Sequence, residues 1–168
     1  MRRFALAVCS DLTIGPSASG QRELVKKIIN EFCPRFAPGG RLVYVAGRNE
    51  RCAYFDAGYL RGLGVVVEGQ GKMPDVVVHF TKRDWLFLIE AVTRHGPVGA
   101  KRLTELTSLF AGSESGLVFI TALPNRRSLS KRLEGVAWGT NVWIATAPDH
   151  MIHFDRDCLL EPFSTSPS

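Results

Sequence analysis

Apolar and polar residues alternate at helical spacing near the start of the chain. From Arg22 onward the apolar residues recur every three or four positions, with charged residues between them. This spacing predicts an amphipathic helix that ends at Pro34, because a proline within a helix removes a hydrogen bond and its ring clashes with the preceding turn. The apolar positions are Leu24, Val25, Ile28, Ile29, Phe32 and Cys33.

Further along, short runs rich in β-branched and aromatic residues predict strands, and stretches with helical spacing separate the later ones. The predicted strands cover residues 41–46, 51–55, 76–80, 85–92, 117–122, 141–146 and 151–154, and the later predicted helices cover 100–110 and 128–138. Strands that alternate with helices after a central hairpin are typical of an α/β sandwich with a mixed sheet.

The central hairpin is the most informative part of the sequence. Two nearly continuous apolar runs, 76–80 and 85–92, flank four polar residues, 81–84, as in a buried hairpin. If the turn is symmetric, Asp75 lies directly opposite Glu90. Residues paired in this way have Cβ atoms about 4.5 to 5.5 Å apart and point to the same side of the sheet.

Two facing acids in apolar strands need a compensating charge, because like charges that lie opposite each other destabilise a sheet. A divalent cation held by Asp75 and Glu90 provides that charge, and magnesium prefers such oxygen ligands. Alternatively, Asp75 is a solvated turn residue and Glu90 makes a surface salt bridge. The spacing alone leaves both interpretations open, since a one-residue slip of the register would separate the acids.

The order of a Pro-Asp pair, an apolar strand and a Glu-x-Lys-like triplet after a hairpin resembles the PD-(D/E)XK nuclease signature. Here it reads Pro74-Asp75 and Glu90-Ala91-Val92. The stretch 21–154 is similar, more specifically, to the catalytic domain of the BsuBI/PstI restriction endonucleases. Its most specific run is WLFLIEAVTRHGP at 85–97, and the other matching segments are 36–39, 73–77, 101–102 and 142–154.

This resemblance implies a PD-(D/E)XK, or restriction-endonuclease-like, three-layer sandwich with a central mixed sheet. It also implies magnesium-dependent cleavage of double-stranded DNA, with manganese as a substitute, in a type II restriction system. Asp75, Glu90 and Ala91 are the expected metal-binding residues. A homodimer is expected if the target is palindromic, because two-fold symmetry in the DNA is matched by two-fold symmetry in the protein.

One position departs from the signature: Val92 stands where the motif has lysine. We expect another residue to supply the cation beside the attacking water, and Lys101, just past the strand end, is the first candidate. The alternative for Lys101 is a helical pair with Glu105. Thr93 and His95 are further candidates for catalysis, although His95 is also placed to cap the next helix.

The net charge of +5, from 21 Lys and Arg against 16 acids, permits a polyanionic partner. Basic side chains are expected to follow DNA phosphates without reading sequence, unless they form only a solvated face. The expected nucleic-acid contacts are Lys72, Arg102, Arg126, Arg127 and Lys131.

The predicted domain organisation is an N-terminal arm or linker at 1–20, a nuclease domain at 21–158 and a C-terminal tail at 159–168. Full-length members of the family carry an additional upstream helical domain, so an upstream domain or a separate subunit is expected to supply specificity. No run approaches the roughly 20 apolar residues of a membrane span, and four scattered cysteines favour reduced thiols. A cytoplasmic location is expected.

Two other functions compete with a restriction-like nuclease. The loss of lysine at Val92 favours a DNA-binding or interaction module on a catalytically decayed nuclease scaffold. A repair or toxin nuclease without sequence preference is the other alternative.

Overall fold

A computed structural model describes residues 20–47, 52–68, 72–93 and 96–154. Most of the predicted arm and all of the predicted tail therefore lie outside the described residues. In the described ranges, no helix combines the length and the apolar character needed to cross a membrane.

Seven strands form one sheet in the spatial order β2-β1-β3-β4-β5-β6-β7. The strands are β1 Arg41–Ala46, β2 Cys52–Phe55, β3 Val76–Phe80, β4 Trp85–Ala91, β5 Gly116–Leu123, β6 Thr140–Ile144 and β7 Met151–Phe154. The pairs β4 with β5 and β5 with β6 are parallel and the other pairs are antiparallel. The predicted mixed sheet is confirmed.

The helices are α1 Gly20–Lys27, α2 Cys33–Phe36, α3 Ala57–Gly62, α4 Ala100–Leu109 and α5 Arg126–Arg132, with a π-helical turn at Ile28–Phe32 between α1 and α2. The predicted end of the first helix at Pro34 is wrong, because the helix continues to Phe36. The main-chain N–H of Cys33 donates to Ile28 O, five residues earlier. This wider turn lies directly before the proline, which then occupies the first turn of α2, where its missing N–H costs little.

The sheet is covered on both faces, which gives three layers. The segment from α1 to α2 packs Leu24, Ile28 and Phe32 against one face of the central hairpin. On the opposite face, Leu106 and Phe110 at the end of α4 pack against the strand residues Val77, Leu86 and Leu88. Each strand residue can meet only one layer, because successive side chains of a strand point to opposite faces.

The predicted helix at 128–138 is also wrong in its bounds. The α-helix covers Arg126–Arg132, a 3-10 turn follows at Leu133–Gly135, and Trp138 lies beyond both with 69% of its surface exposed. A Cβ on Gly135 would lie 3.1 Å from the ring of Pro97. This close approach leaves little room for a longer side chain, and the chain leaves the helix in extended conformation at Val136.

The hairpin has the predicted register. Val76 pairs with Ile89 and Phe80 pairs with Trp85, so the turn is symmetric about residues 82 and 83. The turn is held by Asp84, a residue with a positive φ of 54°, whose carboxylate accepts hydrogen bonds from Ser115 at 2.6 Å and from His79 at 2.8 Å. The main-chain O of Asp75 accepts the N–H of Ala46 at 2.8 Å, so the pairing of β3 with β1 continues to Asp75.

Candidate active site

Asp75 and Glu90 lie together at the end of the hairpin away from its turn. Asp75 comes directly before β3, and Glu90 is the penultimate residue of β4, so extending the observed register by one residue beyond the Val76–Ile89 pair places them opposite each other. Glu90 continues the alternation that turns Leu86 and Leu88 toward α4. Burial raises the pKa of Glu90, and the charge of Asp75 adds to that rise.

The carboxylate of Asp75 is held through one of its oxygens. Its Oδ2 accepts the main-chain N–H of Ala91 at 2.8 Å and the side-chain amide of Gln21 at 3.2 Å. Burial raises the pKa of Asp75 above its ordinary value, and these two hydrogen bonds only partly offset that rise. The charges of Lys72 and Arg102 also oppose the rise.

The carboxylate of Glu90 is held in a similar way by Arg102 of α4. The guanidinium Nε and Nη2 lie 2.7 and 2.6 Å from the same oxygen, Oε1. Burial raises the pKa of Glu90, and the charge of Arg102 opposes that rise. Both side chains are largely buried, with 15% of Glu90 and 17% of Arg102 exposed.

Each acid therefore keeps one oxygen free of protein donors in the described part of the chain. Asp75 Oδ1 and Glu90 Oε2 accept no hydrogen bond there, yet no fully buried side-chain oxygen of a described residue lacks a partner. The carbonyl oxygen of Ala91, the residue after Glu90, accepts the amide of Gln21 at 2.6 Å.

Arg102, an expected DNA contact, also makes several hydrogen bonds within the protein. Besides Glu90, its Nη2 donates to the main-chain oxygens of Lys72 at 3.0 Å and Met73 at 3.3 Å. These bonds attach the segment before Asp75 to α4. The sequence contained the signal, since Arg102 lies four and eight residues before the buried Leu106 and Phe110 and so shares their helical face.

Lys101 lies one position away from that face and is exposed. Across the described residues, no ion pair joins it to Glu90 or to Glu105, so neither sequence-based interpretation of Lys101 appears in the structure. The cations that act on the acids are Arg102 and Lys72, whose charges lower the pKa of both Asp75 and Glu90. Lys72 is itself exposed.

Thr93 lies in the segment after β4 and belongs to a small polar network. Its hydroxyl donates to Gln21 Oε1 at 2.8 Å, and its carbonyl oxygen accepts Arg132 of α5 at 2.9 Å. Gln21 was not predicted, since one polar residue among several at the start of a helix gives no periodic signal. His95 lies outside the described residues, so its role stays a prediction.

Helix α5 lies next to this network and presents basic side chains. Asn125 caps it by accepting the N–H of Ser128 at 2.9 Å, and Arg132 fixes its other end to Thr93. The three predicted DNA contacts on this helix are all exposed: Arg126, Arg127 and Lys131.

The donor set suits a hard divalent cation. Two carboxylate oxygens and one main-chain carbonyl are oxygen ligands of the type magnesium takes, with water and phosphate completing its shell. No group of three or more His, Cys, Asp or Glu side chains in the described ranges is arranged to hold a metal. The second Pro-Asp pair of the chain plays no part, since Asp149 is exposed and pairs with Arg35 at 2.6 Å.

A three-layer mixed sheet with paired acids on a central hairpin defines a domain of the PD-(D/E)XK class. A family model described as the BsuBI/PstI restriction endonuclease domain matches residues 5–157. The chain belongs to this family.

Individual relatives agree with this assignment. The chain is 52% identical over 141 residues to the type II restriction enzyme BsuBI of Bacillus subtilis, covering 84% of this chain and 45% of that protein. It is 25% identical over 163 residues to the type II restriction enzyme AplI of Arthrospira platensis, covering 93% and 50%. The solved structure of SdaI restriction endonuclease matches with a TM-score of 0.80 and 39% identity, covering 88% and 46%. The chain thus spans about half the length of these relatives.

Proposed function

We propose that this chain is a divalent-metal-dependent endonuclease domain that hydrolyses phosphodiester bonds of double-stranded DNA, as part of a type II restriction enzyme. The observation that carries the proposal is the placement of Asp75 and Glu90 at the same end of the hairpin, each with one oxygen held by the protein and one without a donor among the described residues. The named relatives are type II restriction enzymes, which supports the same reaction here.

Asp75, Glu90 and the carbonyl of Ala91 would hold the cation, which we propose to be magnesium, with manganese able to replace it. Once bound, such an ion lowers the pKa of a water molecule and neutralises charge on the phosphate. The protein's own contribution is orientation: Ala91 N–H fixes Asp75, and Arg102 fixes Glu90. Side chains that are already fixed in place need not reorient when charge develops in the transition state, so no free energy is lost in reorganising them.

Lys72 is the residue that we propose in place of the missing motif lysine. Its charge acts on both acids, it directly precedes the motif segment, and its ammonium group is exposed. Lys101 is not among the charges that lower the pKa of the acids, and the guanidinium of Arg102 is occupied by Glu90 and two carbonyls. Lys72 is therefore better placed than either residue to meet a phosphate beside the acids.

DNA binding is assigned to the exposed cations of α5, Arg126, Arg127 and Lys131, which Arg132 links to the site through Thr93. Contacts of this kind position a duplex without reading its sequence. We propose that residues beyond this domain, in an upstream domain or a separate subunit, supply specificity, because the relatives are about twice as long. A homodimer is proposed for a palindromic target.

A decayed DNA-binding module is the second candidate, because Val92 is 2% exposed and packs into an apolar cluster with Leu123 and Ile144. Nicking of supercoiled plasmid in magnesium or manganese separates the two functions. Active wild type with inactive Asp75→Asn supports the nuclease, and Asp149→Asn, in the second Pro-Asp pair, is the matched control that should retain activity. Wild-type protein that binds DNA but cuts it with neither metal supports the module.

The pattern of fragments distinguishes restriction-like cleavage from a repair or toxin nuclease. Discrete bands from a defined plasmid indicate a preferred sequence. A continuous smear indicates a nuclease without sequence preference.

A further inference from the structure

The side chain of Gln21 makes three hydrogen bonds at the proposed metal site. Its Nε2 donates to Ala91 O at 2.6 Å and to Asp75 Oδ2 at 3.2 Å, and its Oε1 accepts the hydroxyl of Thr93 at 2.8 Å. Gln21 lies in the first turn of α1, more than fifty residues from its partners. This amide is thus the link between the first helix and the acids.

The partners determine how the amide is oriented. A carbonyl oxygen such as Ala91 O only accepts hydrogen bonds, so the NH₂ group of Gln21 must face it. The Thr93 hydroxyl then satisfies the amide oxygen, and the helix start is packed closely there, since a Cβ on Gly20 would lie 3.8 Å from Thr93 Cγ2. Gln21 therefore has one defined orientation at the site.

Asp75, Ala91 and Gln21 form a closed cycle of hydrogen bonds. Asp75 Oδ2 accepts Ala91 N–H, Ala91 O accepts Gln21 Nε2, and the same Nε2 donates back to Asp75 Oδ2. The cycle uses one oxygen of the carboxylate and leaves Oδ1 free of donors from the described residues. It also fixes that free oxygen relative to the carbonyl of Ala91.

We infer that Gln21 is a positioning residue for the cation: its amide holds the Asp75 carboxylate and the Ala91 carbonyl in the arrangement that binds a divalent metal. This inference rests on the proposed function. Groups that orient metal ligands through hydrogen bonds typically change metal affinity about 10- to 100-fold when removed. Gln21 has the contacts of such a group, although it need not touch the metal.

The test measures the affinity of the full chain for Mn²⁺ in the absence of DNA. The electron paramagnetic resonance signal of free Mn²⁺ reports how much of the ion is unbound. Gln21→Met keeps an unbranched side chain of similar length but removes the amide, and should weaken binding about tenfold. Thr93→Val, which removes only the bond that steadies the amide oxygen, should weaken it less. Asn30→Ala, which truncates an exposed amide farther along the same helical segment, should bind as wild type does.

Circular dichroism and urea unfolding of each variant separate positioning from folding, since a residue needed only for packing would lower stability without changing the affinity of the folded protein. Wild-type or tighter Mn²⁺ binding by folded Gln21→Met overturns the inference. If that variant does not fold, unchanged affinity in Thr93→Val overturns it instead.

Asp75→Asn separates this inference from the proposed function. Abolished Mn²⁺ binding in Asp75→Asn with wild-type binding in Gln21→Met removes only the role of Gln21. Wild-type binding in Asp75→Asn removes the metal site itself.

Discussion

Arg102 of α4 holds Glu90 of β4 at 2.6 Å, and the same guanidinium binds the main-chain oxygens of Lys72 and Met73 just before Asp75. One side chain of the helical layer thus fixes the segments that carry both acids. The pair is largely buried, so its loss affects stability as well as chemistry.

Arg102→Ala should lower the free energy of unfolding by about 3 kcal/mol, because removing one partner of a buried pair leaves the other charge uncompensated. Urea unfolding at neutral pH measures the change. Lys101→Ala, at the exposed neighbouring position, should remain within about 0.5 kcal/mol of wild type. Equal unfolding midpoints for the two variants would contradict the role of Arg102.

Lys72→Ala should reduce the rate of magnesium-dependent plasmid nicking by about 100-fold or more, a typical effect of removing one group that stabilises developing charge. Lys101→Ala should cleave at close to the wild-type rate, since Lys101, unlike Lys72, is not among the charges that lower the pKa of the acids. Single-turnover nicking with enzyme in excess compares the two. The reverse order of rates would assign the function of the motif lysine to Lys101.

Arg127 and Lys131 are four residues apart on α5 and share its exposed face. Replacing both by Gln should weaken binding to a random duplex and reduce the slope of log affinity against log salt by about 1.8, since each phosphate contact contributes about 0.9. Lys82→Gln/Arg83→Gln, at the hairpin turn away from the acids, removes the same charge and should leave the slope unchanged. Fluorescence anisotropy in calcium, at several salt concentrations, gives the slopes.

Asp56 joins β2 to α3 and gives the fold a pH-dependent contribution. Its carboxylate accepts Tyr59 N–H at 3.0 Å and pairs with Arg41 at 2.7 Å, and these contacts lower the pKa of Asp56 below the ordinary 3.8. A lowered folded-state pKa stabilises the fold above that ordinary value, and the stability is lost as the pH falls through the folded pKa.

Asp56→Asn keeps a capping side chain but removes the charge, so it should be less stable than wild type at pH 7, and the difference should shrink on acidification below the ordinary pKa of 3.8. Asp56→Ala also loses the cap, which costs about 1 kcal/mol more at any pH. Thermal unfolding from neutral to acidic pH measures both. A difference between wild type and Asp56→Asn that grows toward low pH would be inconsistent with this assignment.

The hairpin was predictable because its strands are nearly continuous apolar runs around four polar residues, and its register was predicted only on the assumption of a symmetric turn. The register follows from that symmetry, and the pairing of Asp75 with Glu90 follows from the register. The family resemblance then supplied the expected role of the acids. What the pattern could not supply was the set of side chains that reach the acids from the two helical layers.

Two of those side chains show where the limit lies. Arg102 and Lys101 differ by one position, and only the phase of α4, set by Leu106 and Phe110, decides which of them faces the sheet. Gln21 reaches Asp75 through tertiary packing of the first helix, which no local spacing encodes. Trp138 lies beyond the early end of α5 and is exposed, and Gly135 approaches Pro97 closely at that end.

Diffraction from crystals of this protein soaked in manganese, recorded at a wavelength where manganese scatters anomalously, tests the account most directly. The account predicts an anomalous peak within coordination distance, about 2.0 to 2.3 Å, of Asp75 Oδ1, Glu90 Oε2 and Ala91 O, and no such peak in Asp75→Asn crystals. A peak elsewhere, or none at these oxygens in a soak that saturates Mn²⁺ binding in solution, would contradict it.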